Sequence, residues 1–253
     1  MYDVTAPLCG RREVARGTWV LAFDAPPVAA AARPGQFVNV LLRPGPLLRR
    51  PFSVHRARGD SVEVLLRAVG AGTAGLLALR PGDRVSMLGP LGRGFELDAS
   101  GGPVVLVSGG LGVAPMPLAA AAAAALNLGV TWVHGARTAG ELCSEWEGDE
   151  VRWATDDGSR GLHGSVLEAV PADTAQVLAC GPNPMLAALA AARPDAQVAV
   201  ETYMGCGTGV CLGCAVPRTS GVYDRACTEG PVYRAGSVRW AELPGHLHYT
   251  EEA

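Results

Sequence analysis

Four cysteines near the C-terminus, Cys206, Cys211, Cys214 and Cys227, constrain this chain more than any other feature. The first three share one glycine-rich loop, Gly205-Cys-Gly-Thr-Gly-Val-Cys-Leu-Gly-Cys214, spaced C-x4-C-x2-C, and Cys227 follows after twelve more residues. That run is the plant-type pattern in which four thiolates hold a [2Fe–2S] cluster. The interleaved glycines let backbone N–H groups turn toward sulfur at close range. A structural zinc is the alternative. Such sites draw on two C-x2-C pairs, and here only Cys211 and Cys214 form one. Disulfides need an oxidising compartment. The opening Met1-Tyr-Asp-Val-Thr-Ala-Pro-Leu has no basic or apolar leader, so a cytoplasmic, reducing setting is expected.

With 253 residues, 49% of them hydrophobic and 18% charged, the chain can bury two cores, or two and a small appendage. The formal net charge is −3 and no basic run or aromatic-interleaved basic patch occurs, which excludes a nucleic-acid partner. From Pro103 to Gly135 the only ionisable side chain is His134. Even so, the Gly/Pro cluster at 109–117 and the alanines at 119–125 do not make a continuous apolar helix, so no membrane span is expected.

The pattern changes near residue 100. Before it, short runs at 18–23, 36–42, 61–66 and 84–88 alternate between Pro/Gly turns and predict a small antiparallel barrel with one helix over 71–79. Asp98–Pro103 reads as a linker. After it, strands at 104–107, 130–133, 150–154, 176–179 and 197–200 alternate with helical stretches near 138–147, 164–170 and 184–192, and with the alanine helix. That alternation predicts a doubly wound parallel sheet. The expected fold is thus β plus α/β, divided as residues 1–98, 103–200 and 201–253.

Several further segments carry chemistry. In Arg49-Arg50-Pro51-Phe52-Ser53-Val54 an arginine suits a phosphate, an aromatic can pack on a flat heterocycle, and a hydroxyl can reach a ring nitrogen. A basic turn with a core phenylalanine is the plainer reading. Arg67-Ala-Val-Gly-Ala-Gly72-Thr73 runs straight into a helix, which suits an anion or a simple N-cap. Two phosphate candidates in one barrel point to a dinucleotide-type flavin. Ser108-Gly109-Gly110-Leu-Gly112-Val-Ala-Pro115 joins a buried strand to a helix, as nucleotide-binding turns do, although proline replaces the third glycine of the usual fingerprint. Cys180-Gly181-Pro182 also ends a strand, where Cys180 either faces the ligand crevice or is a buried free thiol. Asp156 and Asp157 either bind ribose hydroxyls or cap a helix, while Cys9 and Cys143 read as packing residues.

Together and in this order, the motifs resemble those of the ferredoxin-reductase-like FAD/NAD flavoproteins across nearly the whole chain. More narrowly they resemble the electron-transfer subunits of NAD-linked dihydroorotate dehydrogenases, which end in a [2Fe–2S] subdomain. The resemblance implies that Arg50-Pro51-Phe52-Ser53 binds FAD, with Arg50 on a phosphate and Ser53 near the flavin N5. Phe52 departs from that subunit's usual aliphatic residue but matches the wider superfamily. Leu65, Leu66, Arg67, Gly72 and Thr73 match the second FAD segment. Gly109, Gly110, Gly112, Pro115, Gly181 and Pro182 match the nicotinamide motifs, with Ser53 and Cys180 as the catalytic pair. Cys206, Cys211, Cys214 and Cys227 match the cluster ligands. The implied partner is an FMN-type catalytic subunit that oxidises dihydroorotate, in a heterotetramer of two of each, with electrons passing to NAD. NADP is not excluded, although Arg137 has no second basic residue close behind it. Rival readings are an NAD(P)H:ferredoxin or hydrogenase-associated reductase subunit, and a zinc-stabilised binding protein on the same scaffold.

Overall fold

The computed structural model describes residues 1–144, 150–172 and 175–245. Six antiparallel strands close a barrel: β1 (Tyr2–Ala15), β2 (Thr18–Asp24), β3 (Phe37–Leu41), β4 (Arg50–Arg58), β5 (Ser61–Arg67) and β6 (Arg84–Leu91), in the order β1-β2-β5-β4-β3-β6. The 14-residue β1 makes closure possible. Its first half pairs with β6, and its second half, beyond a shift at Leu8–Gly10, pairs with β2. Leu21, Phe23, Val38, Val40, Val54, Val62, Val64 and Leu66 fill the barrel interior, as alternation on a closed sheet requires, while Val20 points the other way into the adjoining core. Two helices serve the barrel: α1 (Pro26–Ala31), opened by prolines whose missing N–H groups cost nothing at a first turn, and α2 (Ala71–Leu77).

The second sheet takes β7 (Val104–Gly109), β8 (Val130–Ala136), β9 (Glu150–Thr155), β10 (Leu162–His163), β11 (Gln176–Cys180) and β12 (Gln197–Ala199), all parallel. Helices α3 (Met116–Ala125) and α4 (Asn183–Ala192) follow β7 and β11. A hairpin of β13 (Ala215–Pro217) and β14 (Tyr223–Arg225) lies in the cysteine region, and β15 (Val232–Arg234) returns to pair antiparallel with β12. The sheet order is β10-β9-β8-β7-β11-β12-β15, so the winding reverses between β7 and β11. Ligands of open α/β sheets bind at such a switch point.

Two glutamine side chains zip the linker to this sheet. Gln197 accepts from the Glu96 N–H at 2.8 Å and donates to the Glu96 carbonyl at 2.6 Å. Gln176 does the same with Asp98, at 2.8 and 2.9 Å. Each amide imitates a strand's N–H and C=O, which satisfies linker backbone that has no strand neighbour.

Three local expectations change. The helix near 138–147 is a short 3₁₀ turn at Ala139–Glu141, with 145–149 outside the described residues. The one near 164–170 is a 3₁₀ turn at Val166–Ala169, capped by Ser165. The barrel holds α1 as well as the expected helix. Among the described residues, no helix is long and apolar enough to cross a membrane.

Candidate functional site

The cysteine loop is shaped around sulfur. The N–H groups of Thr208 and Cys211 point at Cys206 Sγ, at 3.3 and 3.5 Å, and the Gly209 N–H points at Cys227 Sγ at 3.1 Å. Cys214 and Cys227 are buried with their sulfurs 3.3 Å apart. Burial alone would raise the Cys206 thiol, but the Cys211 and Thr208 N–H groups outweigh it and hold its pKa at about 6. Cys227 moves the opposite way, pushed up to about 12 by burial and then by its neighbour Cys214. Ligation deprotonates all such thiols.

The donor set fits a binuclear cluster. A [2Fe–2S] cluster spreads four thiolates over two irons, and Cys214 with Cys227 makes one such pair. Arg225 braces the loop by donating to the Gly209 carbonyl at 3.2 Å while paired with Glu229. Cys211 is exposed, flanked by Val210 and Leu212 at 82% and 64% exposure.

The barrel face presents the flavin candidates. Arg49 and Arg50 are neighbours with different roles. Arg49 is spent on the barrel, donating to the Asn39 and Ser86 carbonyls and pairing with Asp3. Among the described residues the Arg50 side chain makes one hydrogen bond, to the Leu48 carbonyl at 2.6 Å, and a Cβ built on Gly72 would lie 3.1 Å from its Nε. The two predicted phosphate segments therefore meet. That grouping of a guanidinium with backbone at a bare glycine fits a dinucleotide phosphate. The Thr73 hydroxyl closes the turn, accepting from the Val69 and Gly70 N–H groups at 2.9 and 3.2 Å, so it caps α2.

Phe52, half-buried on β4, leans on the barrel core. Leu66 points into that core and Leu65 into the adjoining one with Val113 and Ala114, so this segment offers a ligand only backbone. Arg67 donates to Thr18 Oγ1 and lies 3.8 Å from Glu141. Val54 points into the barrel core, so its neighbour Ser53 points out of the barrel, and a bulge between Val54 and Arg56 turns His55 outward as well. His55 Nδ1 donates to the Ala114 carbonyl at 2.8 Å, so this face looks onto the 110–115 loop. Ser53 lies two residues before His55 on this outer side of β4. Burial lowers the His55 pKa to about 4, which keeps the ring neutral, and the Ala114 carbonyl, which can only accept, selects the tautomer with its proton on Nδ1.

Both nicotinamide motifs lie at the switch point, and they touch. A Cβ on Gly112 would overlap the Cys180 carbonyl, and one on Gly109 would lie 2.6 Å from Met185 Sδ. Gly110 begins a 3₁₀ turn with φ +52°, and Pro115 leads into α3. The Cys180 thiol is buried, and its pKa is pushed up by burial and then by the Glu201 charge, so it stays protonated. Glu201, just beyond β12, was not singled out from sequence. Burial raises its pKa to about 7, and among the described residues no side chain pairs with it. A lone acid one residue past an apolar strand, at the carboxyl edge of the sheet, is the signal that could have found it. Arg137 pairs with Glu141 at 2.7 Å, so its charge is already answered. The Asp157 carboxylate accepts from the Ser159 N–H and hydroxyl, whose bonds hold its pKa low.

Residues 201–239 match the family model for the iron–sulfur cluster binding domain of dihydroorotate dehydrogenase B. The electron transfer subunit of dihydroorotate dehydrogenase B (NAD(+)) from Desulforamulus reducens is 41% identical over 250 residues, spanning 90% of this chain and 94% of that one. This chain belongs to that electron-transfer subunit family. Its relative from Geobacillus thermodenitrificans is 39% identical over 90% of this chain and 95% of its own. Among solved structures, an NADH-dependent reduced ferredoxin–NADP oxidoreductase studied for flavin-based electron bifurcation superposes with a TM-score of 0.83. It is 27% identical over 94% of this chain and 91% of that one. Membership accounts for the order of barrel, wound sheet and cysteine loop, and places the cysteines inside the matched segment.

Proposed function

We propose that this chain carries electrons from a dihydroorotate-oxidising flavoprotein subunit to NAD⁺, holding a [2Fe–2S] cluster and FAD between the two. The observation that carries the reading is the packing of the cysteine loop on β3, the strand paired with the flavin candidate β4, so both redox sites share one wall. Bound FAD supplies the exchange between single electrons and hydride that such a relay needs.

The residue roles follow from position. Cys206, Cys211, Cys214 and Cys227 hold the cluster, and the N–H groups on Cys206 and Cys227 steady its negative charge. Arg50 and the Gly72 backbone take the FAD phosphates, and the strand backbone at Leu65–Arg67 lines its course. Ser53 faces the crevice where a nicotinamide would meet the flavin. The Gly109–Gly112 and Cys180–Pro182 loops seat the NAD. Cys180 packs there as a neutral thiol, and Glu201 beside it can keep or release a proton near pH 7. The Arg137–Glu141 pair favours NAD over NADP, because a 2′-phosphate would have to displace a carboxylate already in place.

The exposed Tyr203, Val210 and Leu212 around Cys211 form the docking face for the catalytic FMN subunit, in a cytoplasmic heterotetramer of two of each chain. The boundaries 1–98, 103–200 and 201–253 divide the three functions. An absorption spectrum of the purified chain, with iron and acid-labile sulfide assays, tests the reading. Flavin and iron–sulfur bands are expected. A colourless, zinc-containing protein would end it.

A further inference from the structure

Strand β3 is buried along its whole length, and four of its five side chains are apolar. The exception is Asn39, 1% exposed. Barrel packing does not explain it, because its Oδ1 has no hydrogen-bond partner among the described residues and a buried unpaired acceptor is costly. A leucine or valine would pack there without that cost. The amide's one bond runs to the cysteine loop: Nδ2 donates to the Cys206 carbonyl at 3.3 Å.

The fit is tight from both sides. Gly207, at φ +73°, lies so close that a Cβ would overlap the Asn39 Nδ2, so both its conformation and its size are fixed by this contact. On the barrel side Asn39 stands opposite Pro51 of the flavin segment, and its own carbonyl accepts from Arg49. Arg49 is in turn tied to Ser86 and Asp3 on the neighbouring strands. The Cys206 peptide is thus anchored to the rigid wall that carries the flavin candidates.

We propose that Asn39 is a positioning residue for electron transfer, fixing the Cys206 turn, and through it the cluster, against the flavin-bearing barrel. The inference rests on the relay reading above. By holding the Cys206 carbonyl, Asn39 keeps the turn in which the Thr208 and Cys211 N–H groups reach Cys206 Sγ. Donors to sulfur stabilise the more negative, reduced cluster and raise its potential. Loosening the turn therefore lowers the potential and slows transfer between the two groups.

The test uses the full chain, purified as it assembles, with Asn39→Leu and the shorter Asn39→Ser, and with Asn39→Gln as the conservative variant. FAD content and NADH-driven reduction of a dye, which bypass the cluster, should stay within about twofold of the parent. The cluster's midpoint potential should fall and its electron paramagnetic resonance spectrum should broaden. Partner-driven NAD⁺ reduction should drop about tenfold, the usual effect of losing an outer-shell contact. Asn39→Gln, which keeps the donor, should recover part of the potential. An unchanged potential and spectrum in either the leucine or the serine variant overturns the proposal. A parent protein without iron and flavin overturns the relay reading instead, so the two failures are distinct.

Discussion

The α-carbon of Gly112 lies against the peptide joining Cys180 to Gly181, so close that a Cβ would overlap the Cys180 carbonyl and come within 2.5 Å of the Gly181 Cα. This contact joins the loop after β7 to the loop after β11, the two strands between which the sheet reverses its winding. The two loops proposed to seat the nicotinamide therefore form one composite floor. Gly112→Ala must push the loops apart, at a cost of about 1–3 kcal/mol for overpacking. Its melting temperature should fall, and its KM for NADH in dye reduction should rise about tenfold as the floor distorts. Flavin and iron contents should not change, because neither site touches this contact.

Arg49 and Arg50 offer a second test, since adjacent residues of one type have separate tasks. Arg50→Ala should weaken FAD binding by roughly tenfold to a hundredfold, the range for losing one charge-assisted contact. The melting temperature of the flavin-free protein should barely move. Arg49→Ala breaks bonds to Asn39, Ser86 and Asp3. It should lower that melting temperature while FAD binds the surviving folded protein with near-parent affinity. Calorimetry and fluorescence titration separate the two outcomes.

Sequence made the cysteine site legible because ligand spacing survives whatever fold surrounds it. The glycine and proline loops were legible as turns, but their contact was not. Gly112 and Cys180 are far apart in the chain, and only the parallel pairing of β7 with β11 brings them together. Strand β1 was missed because its arginines and half-exposed positions do not alternate cleanly, and it belongs to two partners in succession. Asn39 looked like one polar residue in an apolar strand. Its meaning depends on a residue 167 positions away.

Two buried histidines should set the acid limit of stability. His55 and His134 both have pKa values lowered by burial from 6.5 to about 4. The unfolded chain therefore binds protons between those values that the folded chain refuses. The part of the stability that depends on these two neutral rings is full above pH 6.5 and is lost as pH falls toward 4. His55 alone could account for about 3 kcal/mol over that window. His55→Asn keeps a donor near the Ala114 carbonyl and removes the titration, so its melting temperature should fall less between pH 7 and pH 4.5 than the parent's. Equal slopes would show that His55 does not titrate in this window.

Glu201 predicts the opposite slope. Burial raises its pKa from 4.5 to about 7, so the folded chain holds a proton that the unfolded chain has already released. Its favourable contribution is complete below pH 4.5 and disappears as pH rises through 7. Glu201→Gln keeps the shape of the protonated acid and cannot ionise. Relative to the parent, its melting temperature should be equal near pH 4.5 and higher by pH 8. The same substitution should leave Cys180 easier to ionise, since the Glu201 charge is the second cause holding that thiol protonated. Alkylation of Cys180 above pH 8 should then be faster in the variant, once both proteins are compared at equal folded fraction. A parallel stability profile would remove Glu201 as a proton-holding group in the crevice, and unchanged alkylation would show that its charge does not act on Cys180.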